Sequence, residues 1–435
     1  MFFRICIFLL VFILPQSWAQ NNTGAVTLSL TETAYSILER ADWRRFDNGR
    51  YTGLVNQEIR AHIIPVQAGD SGGRALFQGN FFVMQNTLRD MRQAARAVDA
   101  VIPVVFEIDD DGFMLMENDR GFPVLRGFPA FPAEPVRPGS RWQAPGRRAV
   151  DPLNTGYPLI IPFVAEYEYR GTEVYLGTLV HRIHANYASR YVNEILPETD
   201  LQLEGIIRLG SSFQRIQGSH RVEILLRVED GLPIFMRDNL DVMYTMTDGS
   251  TVRFTGFTLT FGQGIVPMDR VQLIASIENV FSIEEQVTDT PEVHVDDTPE
   301  DQADDPLIVF TDTAIDVVPV PEGIRLTIRD IRYAPDSAEF LPEERYRLDL
   351  IADALRQIPD RTFLVEGHTA AVGLPTGEMQ LSIERAERMI EELVRRGISA
   401  DSFIYHGWGG TRPIADNSTD AGRSQNRRVE ITILE

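Results

Sequence analysis

The sequence predicts an α+β, multidomain chain: a β-rich N-terminal region, a sandwich or half-barrel with a helix, followed by an α/β sandwich with helices on a mixed sheet. Three observations predict it. Asp-Gly pairs flanked by apolar-rich runs occur at 230–231 and 248–249, and Asp-Gly supplies the positive φ that tight hairpins need. A strongly acidic stretch interrupts the chain at residues 284–306. After it, short apolar runs alternate with segments of helical period, the pattern of helices packed on one sheet.

The first 19 residues read as an export signal. Arg4 gives a short positive start, residues 5–14 are an apolar run, and Ser17-Trp18-Ala19 is a small-x-small cleavage site before Gln20. The run is shorter than the ~20 residues a membrane-spanning helix needs. Cys6, the one cysteine, lies inside it, so the mature chain is expected to have no disulfide, thiol catalysis or Cys-ligated metal. The balance is acidic, 41 basic against 63 acidic residues, net −22. Phosphate binding needs a basic surface, so nucleic acid is not an expected partner. Every basic residue is Arg, with no Lys; genome composition is the favoured explanation over adaptation to salt.

Residues 20–283 are expected to be mostly strands. Arg221 to Val228 leads through Asp230-Gly231 into Ile234, and Val242-Met243-Tyr244 leads through Asp248-Gly249 into Val252, Phe254 and Phe257. A third hairpin is expected to turn at Arg170-Gly171. One helix is expected over residues 87–98, where Leu88, Met91, Ala95 and Val98 recur at helical spacing. Residues 122–158 carry eight prolines and read as an irregular crossover, one reading of which divides the region into two lobes. An outer-membrane barrel is not expected, because the predicted helix interrupts the strands and the mature chain has only three Trp. Residues 284–306 hold ten Asp or Glu and no Arg. They read as a disordered linker with a reach of roughly 25 Å.

In residues 307–435, Ile324 to Tyr333 alternates as a strand. Pro342 opens a helix whose inner face is Leu348, Ile351, Leu355 and Ile358. Phe363-Leu364-Val365 is a short buried strand. Ser382 is placed to cap a second helix with Ile383, Ala386, Ile390 and Leu393 inward, ended by Gly397. Phe403 to His406 and Val429 to Leu434 complete the sheet.

Three blocks in this region carry a resemblance. Gly367-His368-Thr369 ends a strand, Leu381-Ser382-x-x-Arg385-Ala386 lies on a helix, and Asn426-Arg427-Arg428-Val429-Glu430 opens the last strand. In this order they resemble the OmpA-like (OmpA/MotB-type) peptidoglycan-binding domain. The resemblance implies an α/β sandwich and binding of the cell-wall stem peptide, with no reaction performed. It also implies a pocket in which an Asp holds the ammonium of diaminopimelate and an Arg its carboxylate, charge-assisted pairs suited to such a ligand. Arg385 matches that Arg, fifteen residues after Ala370, which stands where the family has its Asp. Thr369 belongs to the same corner. Glu378 stands where the family has Asn and is expected to supply the displaced negative charge, a change suited to an ornithine-bearing stem peptide. Arg385 is expected in the first turn of its helix, with pairing to Glu384 or Glu387 as the plainer alternative. Of Arg427 and Arg428, one is expected to face the pocket and one to pack away. His368 and Trp408 read as structural.

His181 and His184 are three apart on a strand and face opposite sides, so they do not suggest a metal. Asp109-Asp110-Asp111-Gly112 reads as a turn, lacking the later ligands of a calcium loop. There is no nucleophile elbow, metalloprotease motif or phosphate loop. No catalytic residue, metal or cofactor is therefore expected, and the chain does not read as an enzyme. The expectation is a periplasmic or outer-membrane-associated protein tethering its β-rich module to peptidoglycan. The alternative is a transport or assembly protein whose β-rich region binds lipid or a client protein, with the C-terminal domain as scaffold. An apolar cavity in the β-rich region would favour that alternative.

Overall fold

The computed structural model describes residues 24–29, 33–66, 75–85, 96–108, 114–117, 119–151, 158–193, 213–265, 269–282, 315–334, 337–359 and 361–434. The expected leader, the acidic stretch 284–306, the Asp109–Gly112 turn and most of the helix expected over 87–98 lie outside these residues.

The N-terminal strands are β1 (Tyr35–Asp47), β2 (Arg50–Val66), β3 (Ala75–Gln85), β4 (Arg96–Ala97), β5 (Ala100–Ile108), β6 (Met114–Met116) and β7 (Leu125–Arg126), then β8 (Arg141–Val150), β9 (Leu159–Tyr175), β10 (Thr178–Val192), β11 (Phe213–Arg227), β12 (Pro233–Met246) and β13 (Thr251–Gly264). All but β4 form one 12-stranded antiparallel sheet in the order β6-β5-β3-β2-β1-β13-β12-β11-β10-β9-β8-β7. The sheet curls into a nearly closed barrel, so the expected sandwich or half-barrel is corrected. Its edge strands β6 and β7 are neighbours in sequence, and the Phe81 ring on β3 packs at 5.3 Å against Phe122, just before β7.

Residues of alternating burial build this wall. On β9, Ile161, Phe163, Ala165, Tyr167 and Tyr169 point inward and are buried, while Val164 and Glu166 between them are exposed. The outward face carries cross-strand ion pairs: Arg253 with Asp241 (2.6 Å), Arg141 with Glu168 (3.1 Å), and Arg182 with Glu223. A lipid-facing belt has the opposite polarity, apolar outside.

Both Asp-Gly hairpins form as expected, joining β11 to β12 and β12 to β13. The hairpin expected at Arg170-Gly171 does not. There β9 runs straight through with a bulge: Tyr169 and Gly171 pair with the consecutive residues Ile183 and Arg182, leaving Arg170 over. The chain turns instead at Leu176-Gly177, both at positive φ (48° and 84°). The proline-rich stretch does not separate two lobes either, since strands on both sides of it share one sheet. Its aromatic residues fold into the barrel, where Phe128 packs against Phe163, Tyr167 and Tyr187. Burying such rings is what draws this segment inward.

The C-terminal domain comprises α1 (Arg270–Ser282), β14 (Ile315–Val320), β15 (Gly323–Ile328), α2 (Arg345–Arg356), β16 (Phe363–Gly367), α3 (Pro375–Arg395), β17 (Phe403–Gly407), α4 (Asp420–Asn426) and β18 (Val429–Leu434). Its six-stranded sheet has the order β14-β15-β18-β16-β17-β4. Parallel pairing joins β16, β17 and the short β4, which arrives from the N-terminal region where a helix was expected. The strand expected through Tyr333 stops at Ile328.

Side-chain alternation gives this sheet two buried faces. Phe363, Val365, Phe403, Tyr405, Ile431 and Ile433 meet the helices. Leu364, Ile404 and Leu434 meet Phe82, Met84 and Val98 of the N-terminal region. Arg60 Nη1 donates to the Asp401 carbonyl at 2.8 Å, and the Val98 amide donates to the Tyr405 carbonyl at 2.7 Å. The two parts are thus packed wall to sheet. Helix α1 precedes the acidic stretch but belongs to the C-terminal core: Ile277 is fully buried there. The segment 283–314 therefore joins two elements of one domain.

Truncating Ile277 to Ala is expected to cost the C-terminal domain about 2–4 kcal/mol, read as a lowered denaturation midpoint of that domain. An unchanged midpoint would mean that α1 is not part of this core.

Candidate functional site

The site is built where β16 ends against α3. A Cβ on Gly367 would lie 2.0 Å from the Ser382 carbonyl oxygen, so only glycine lets the helix approach the strand this closely. The helix cap expected at Ser382 does not form. Helix α3 begins at Pro375, two turns earlier, and Ser382 is fully buried within it. Its hydroxyl donates to the Met379 carbonyl (2.7 Å) and accepts from the Gly409 amide (2.9 Å). The loop after β17 is thereby pinned to the helix. Thr369 N donates to the Gly409 carbonyl at 2.9 Å and closes the corner.

Arg385 lies one turn beyond Ser382, in mid-helix rather than the first turn, so no free helix-terminal amides flank it. It is 8 % exposed, and no carboxylate among the described residues pairs with it. Its guanidinium lies 4.3 Å from the centre of the Tyr333 ring, a cation–π contact. Its Nε has no hydrogen-bond partner, nor has the buried Tyr333 hydroxyl. Burial, with Arg427 nearby, lowers the Arg385 pKa from its ordinary value. Pairing to Glu384 or Glu387 is absent. Glu384 accepts from Gln380, and Glu387 titrates above the usual carboxylate range through burial and its acidic neighbours. A buried guanidinium left without a counter-charge leaves an electrostatic demand that an anion would meet.

Ala370 is buried (4 %), and the Thr369 hydroxyl is buried without a partner. Glu378 sits in the first turn of α3, where its charge complements the helix dipole. Its Oε1 accepts from the amides of both Val372 and Gly373 at 2.7 Å, so it fixes the loop that follows Ala370. Its Oε2 lies on the side of Gly410 and Ala371.

Asn426 is fully buried at the end of α4 and acts on the rim. Its Oδ1 accepts from Ile414 N and Ala415 N, and its Nδ2 donates to the Ala415 carbonyl and to Asn417 Oδ1. Asn417 in turn accepts from Ala371 N at 3.2 Å. Arg427 is exposed, whereas Arg428 is buried, pairs with Glu430 at 2.6 Å and donates to the Arg412 carbonyl. The difference does not come from strand alternation, because both precede β18. Burial alone would raise the Glu430 carboxyl, but His368 and Arg428 outweigh it and hold it at about 2.

The structure thus gathers Thr369, Ala370, Glu378 and Asn426 around one loop system, with Arg385 on Tyr333 and the charge of Arg427 near enough to act on it. Tyr333 and Asn417 were not foreseen. Tyr333 had been absorbed into an apparent strand, and nothing in its spacing marked it as the bed of an arginine. Trp408 bridges the layers: its Nε1 donates to Glu366 at 2.6 Å and its ring carries the Arg412 guanidinium at 3.3 Å.

Residues 332–427 match the OmpA family. This part of the chain is an OmpA family domain. Outer membrane porin F of Pseudomonas fluorescens is 34% identical over 115 residues, 26% of this chain and 35% of that protein. Peptidoglycan-binding protein ArfA of Mycobacterium tuberculosis is 36% identical over 103 residues, 24% of this chain and 32% of that protein. A solved outer membrane protein from Borrelia burgdorferi B31 is 34% identical, covering 28% of this chain and 100% of its own, with a TM-score of 0.24. The chain spans about a third of the length of the first two relatives, and the matched region lies wholly in the C-terminal domain.

The Glu430 pair makes a pH prediction. A carboxyl held at about 2 in the folded state stabilises it above the ordinary carboxylate range near 4.5, and that stability is lost as pH falls toward 2. Glu430→Gln is expected to cost on the order of 2 kcal/mol at pH 7. The variant and the parent should converge by about pH 2, as followed by denaturant unfolding across that range.

Proposed function

We propose that this is an exported, envelope-resident protein whose OmpA family domain binds the stem peptide of peptidoglycan and so fixes the β-barrel region to the cell wall. The observation that carries this is Arg385, buried, bedded on Tyr333 and without a carboxylate partner among the described residues. A stem-peptide carboxylate supplies the missing charge through charge-assisted hydrogen bonds. One relative is itself named a peptidoglycan-binding protein, and others are outer-membrane proteins, which supports the compartment and the ligand class. Ala370 removes the anion that would hold the second end of a zwitterion. The remaining nearby carboxylate, Glu378, is engaged on one oxygen only. It supplies the ammonium contact through the other, an arrangement that suits a side chain ending in a simple amine, as ornithine does. Because the domain is packed on the barrel wall, binding would hold the barrel at a fixed orientation to the wall rather than on a long leash.

A second reading, that the β-rich region carries lipid or a client polypeptide, is favoured by one observation: a cavity with largely apolar walls inside the barrel.

The full mature chain should sediment with purified peptidoglycan, and Arg385→Ala should weaken this about tenfold or more. Glu378→Gln should selectively weaken binding to ornithine-type wall relative to diaminopimelate-type wall. Unchanged sedimentation of the Arg385 variant would refute the carboxylate assignment, and equal effects of Glu378→Gln on both walls would refute the ammonium assignment.

A further inference from the structure

The barrel interior carries a polar network that neither expected function uses. Arg148 on β8 donates to the Tyr187 hydroxyl on β10 at 2.8 Å, and the hydroxyl donates to Asp238 Oδ2 on β12 at 3.4 Å. His220 on β11 donates from Nδ1 to the same oxygen at 2.8 Å, and its ring stacks on Tyr187 with centroids 4.2 Å apart. Its Nε2 faces the Ser189 hydroxyl at 3.1 Å. Ser189, His220 and Asp238 therefore have the connectivity of a nucleophile relay. Neither Ser189 nor His220 lines the cavity, however, so a ligand there does not meet the hydroxyl. Every contact converges on Asp238 Oδ2. The other oxygen, Oδ1, has no partner, although Asp238 is only 6 % exposed.

Asp238 lines a partly enclosed cavity of about 210 Å³. The cavity occupies the barrel end where β1 begins and β13 finishes. Its walls include Ile37, Ile59, Phe77, Phe81, Met114 and Phe122, and Glu39, Arg148 and Asp238 form its charged part. Two carboxyl groups thus face one guanidinium that already contacts Asp238 (3.5 Å). A wholly apolar occupant would cover the charged part, Glu39 included, without offering it a donor, which is costly for a carboxyl group. An anionic head would meet two acids of its own sign.

We propose that this cavity binds an amphiphile with an amine head, its tail against the apolar wall and its amine beside the Glu39 and Asp238 carboxyl groups that line the charged part. The proposal rests on the carrier reading and adds the chemistry of the cargo. Glu39 is half-buried and lines the cavity. Burial pushes its carboxyl up to about 7; Arg148 lowers it, Asp238 raises it, and a hydrogen bond with Thr260 lowers it. Burial keeps His220 below its ordinary value, and Tyr35, Tyr187 and Tyr244 above theirs. Glu39 therefore gains its charge between pH 6 and 8, and amine affinity should rise with pH across that interval.

The test is calorimetric titration of the full mature chain with decylamine, decanol and decanoate, each below its aggregation threshold. At pH 8, one decylamine per chain should bind about tenfold or more tighter than decanoate. Asp238→Asn should remove that preference. Glu39→Gln, which disturbs no ion pair among the described residues, should flatten the rise in affinity between pH 6 and 8. Equal affinity for all three heads would overturn the head assignment and leave the carrier reading standing. Absence of a one-per-chain site for any of them would overturn both. Weak multiple binding that persists in Asp238→Asn, adsorption on the acidic surface, would also count against the proposal.

Discussion

The arrangement of this protein depends on a sheet that is buried on both sides. Strands β16, β17 and β18 alternate side chains between two apolar environments, helices on one face and the barrel wall on the other. A strand with polar residues on one side can face water; Leu364, Ile404 and Leu434 cannot do so without exposing a contiguous apolar patch. Covering them requires Phe82, Met84 and Val98, which requires the barrel to be docked. The main-chain pairing of β4 with β17 then fixes the register of that contact.

The same constraint shapes the pocket. Because β16 and β17 are held from behind, Gly367, Gly407 and Gly409 can present a rigid floor to α3, and Ser382 can bridge helix and loop with one hydroxyl. The loop after Ala370 is tied at two points, by Glu378 at one end and by Asn417 and Asn426 at the other. What is left unsatisfied around this corner falls on Arg385, Tyr333, His368 and Thr369. Many of the other arginines form surface pairs, such as Arg388 with Glu391 and Arg396 with Glu392, which contribute little individually. The contrast with an arginine kept buried and unpaired is what gives the pocket its meaning.

The barrel uses its interior in a similar way. Most inward positions are apolar, and the few polar ones are joined into a network that satisfies nearly all of its atoms. The network reaches the cavity through Arg148 and Asp238, where Glu39 adds a further carboxyl group.

Much of the C-terminal domain was legible in the sequence, because its signals are local. The helical spacing of Leu348, Ile351 and Leu355, the C′ glycine Gly397 and the three motif blocks each depend on neighbours within a turn or a strand. The two Asp-Gly hairpins were legible for the same reason. Gly171 misled because a glycine at positive φ serves a bulge as well as a turn, and only the pairing partner tells which. Ser382 misled because Pro375 had already started the helix. The sequence by itself determined most elements of the C-terminal domain, the two Asp-Gly turns and the acidic composition of residues 284–306, all properties of short stretches of chain. Tertiary structure decided the closure of the barrel, the membership of α1 in the far domain, the bed of Tyr333 under Arg385 and the meeting of Glu39, Arg148 and Asp238. These bring together residues tens to hundreds of positions apart, and no local pattern records which distant partner a buried face or charge will find.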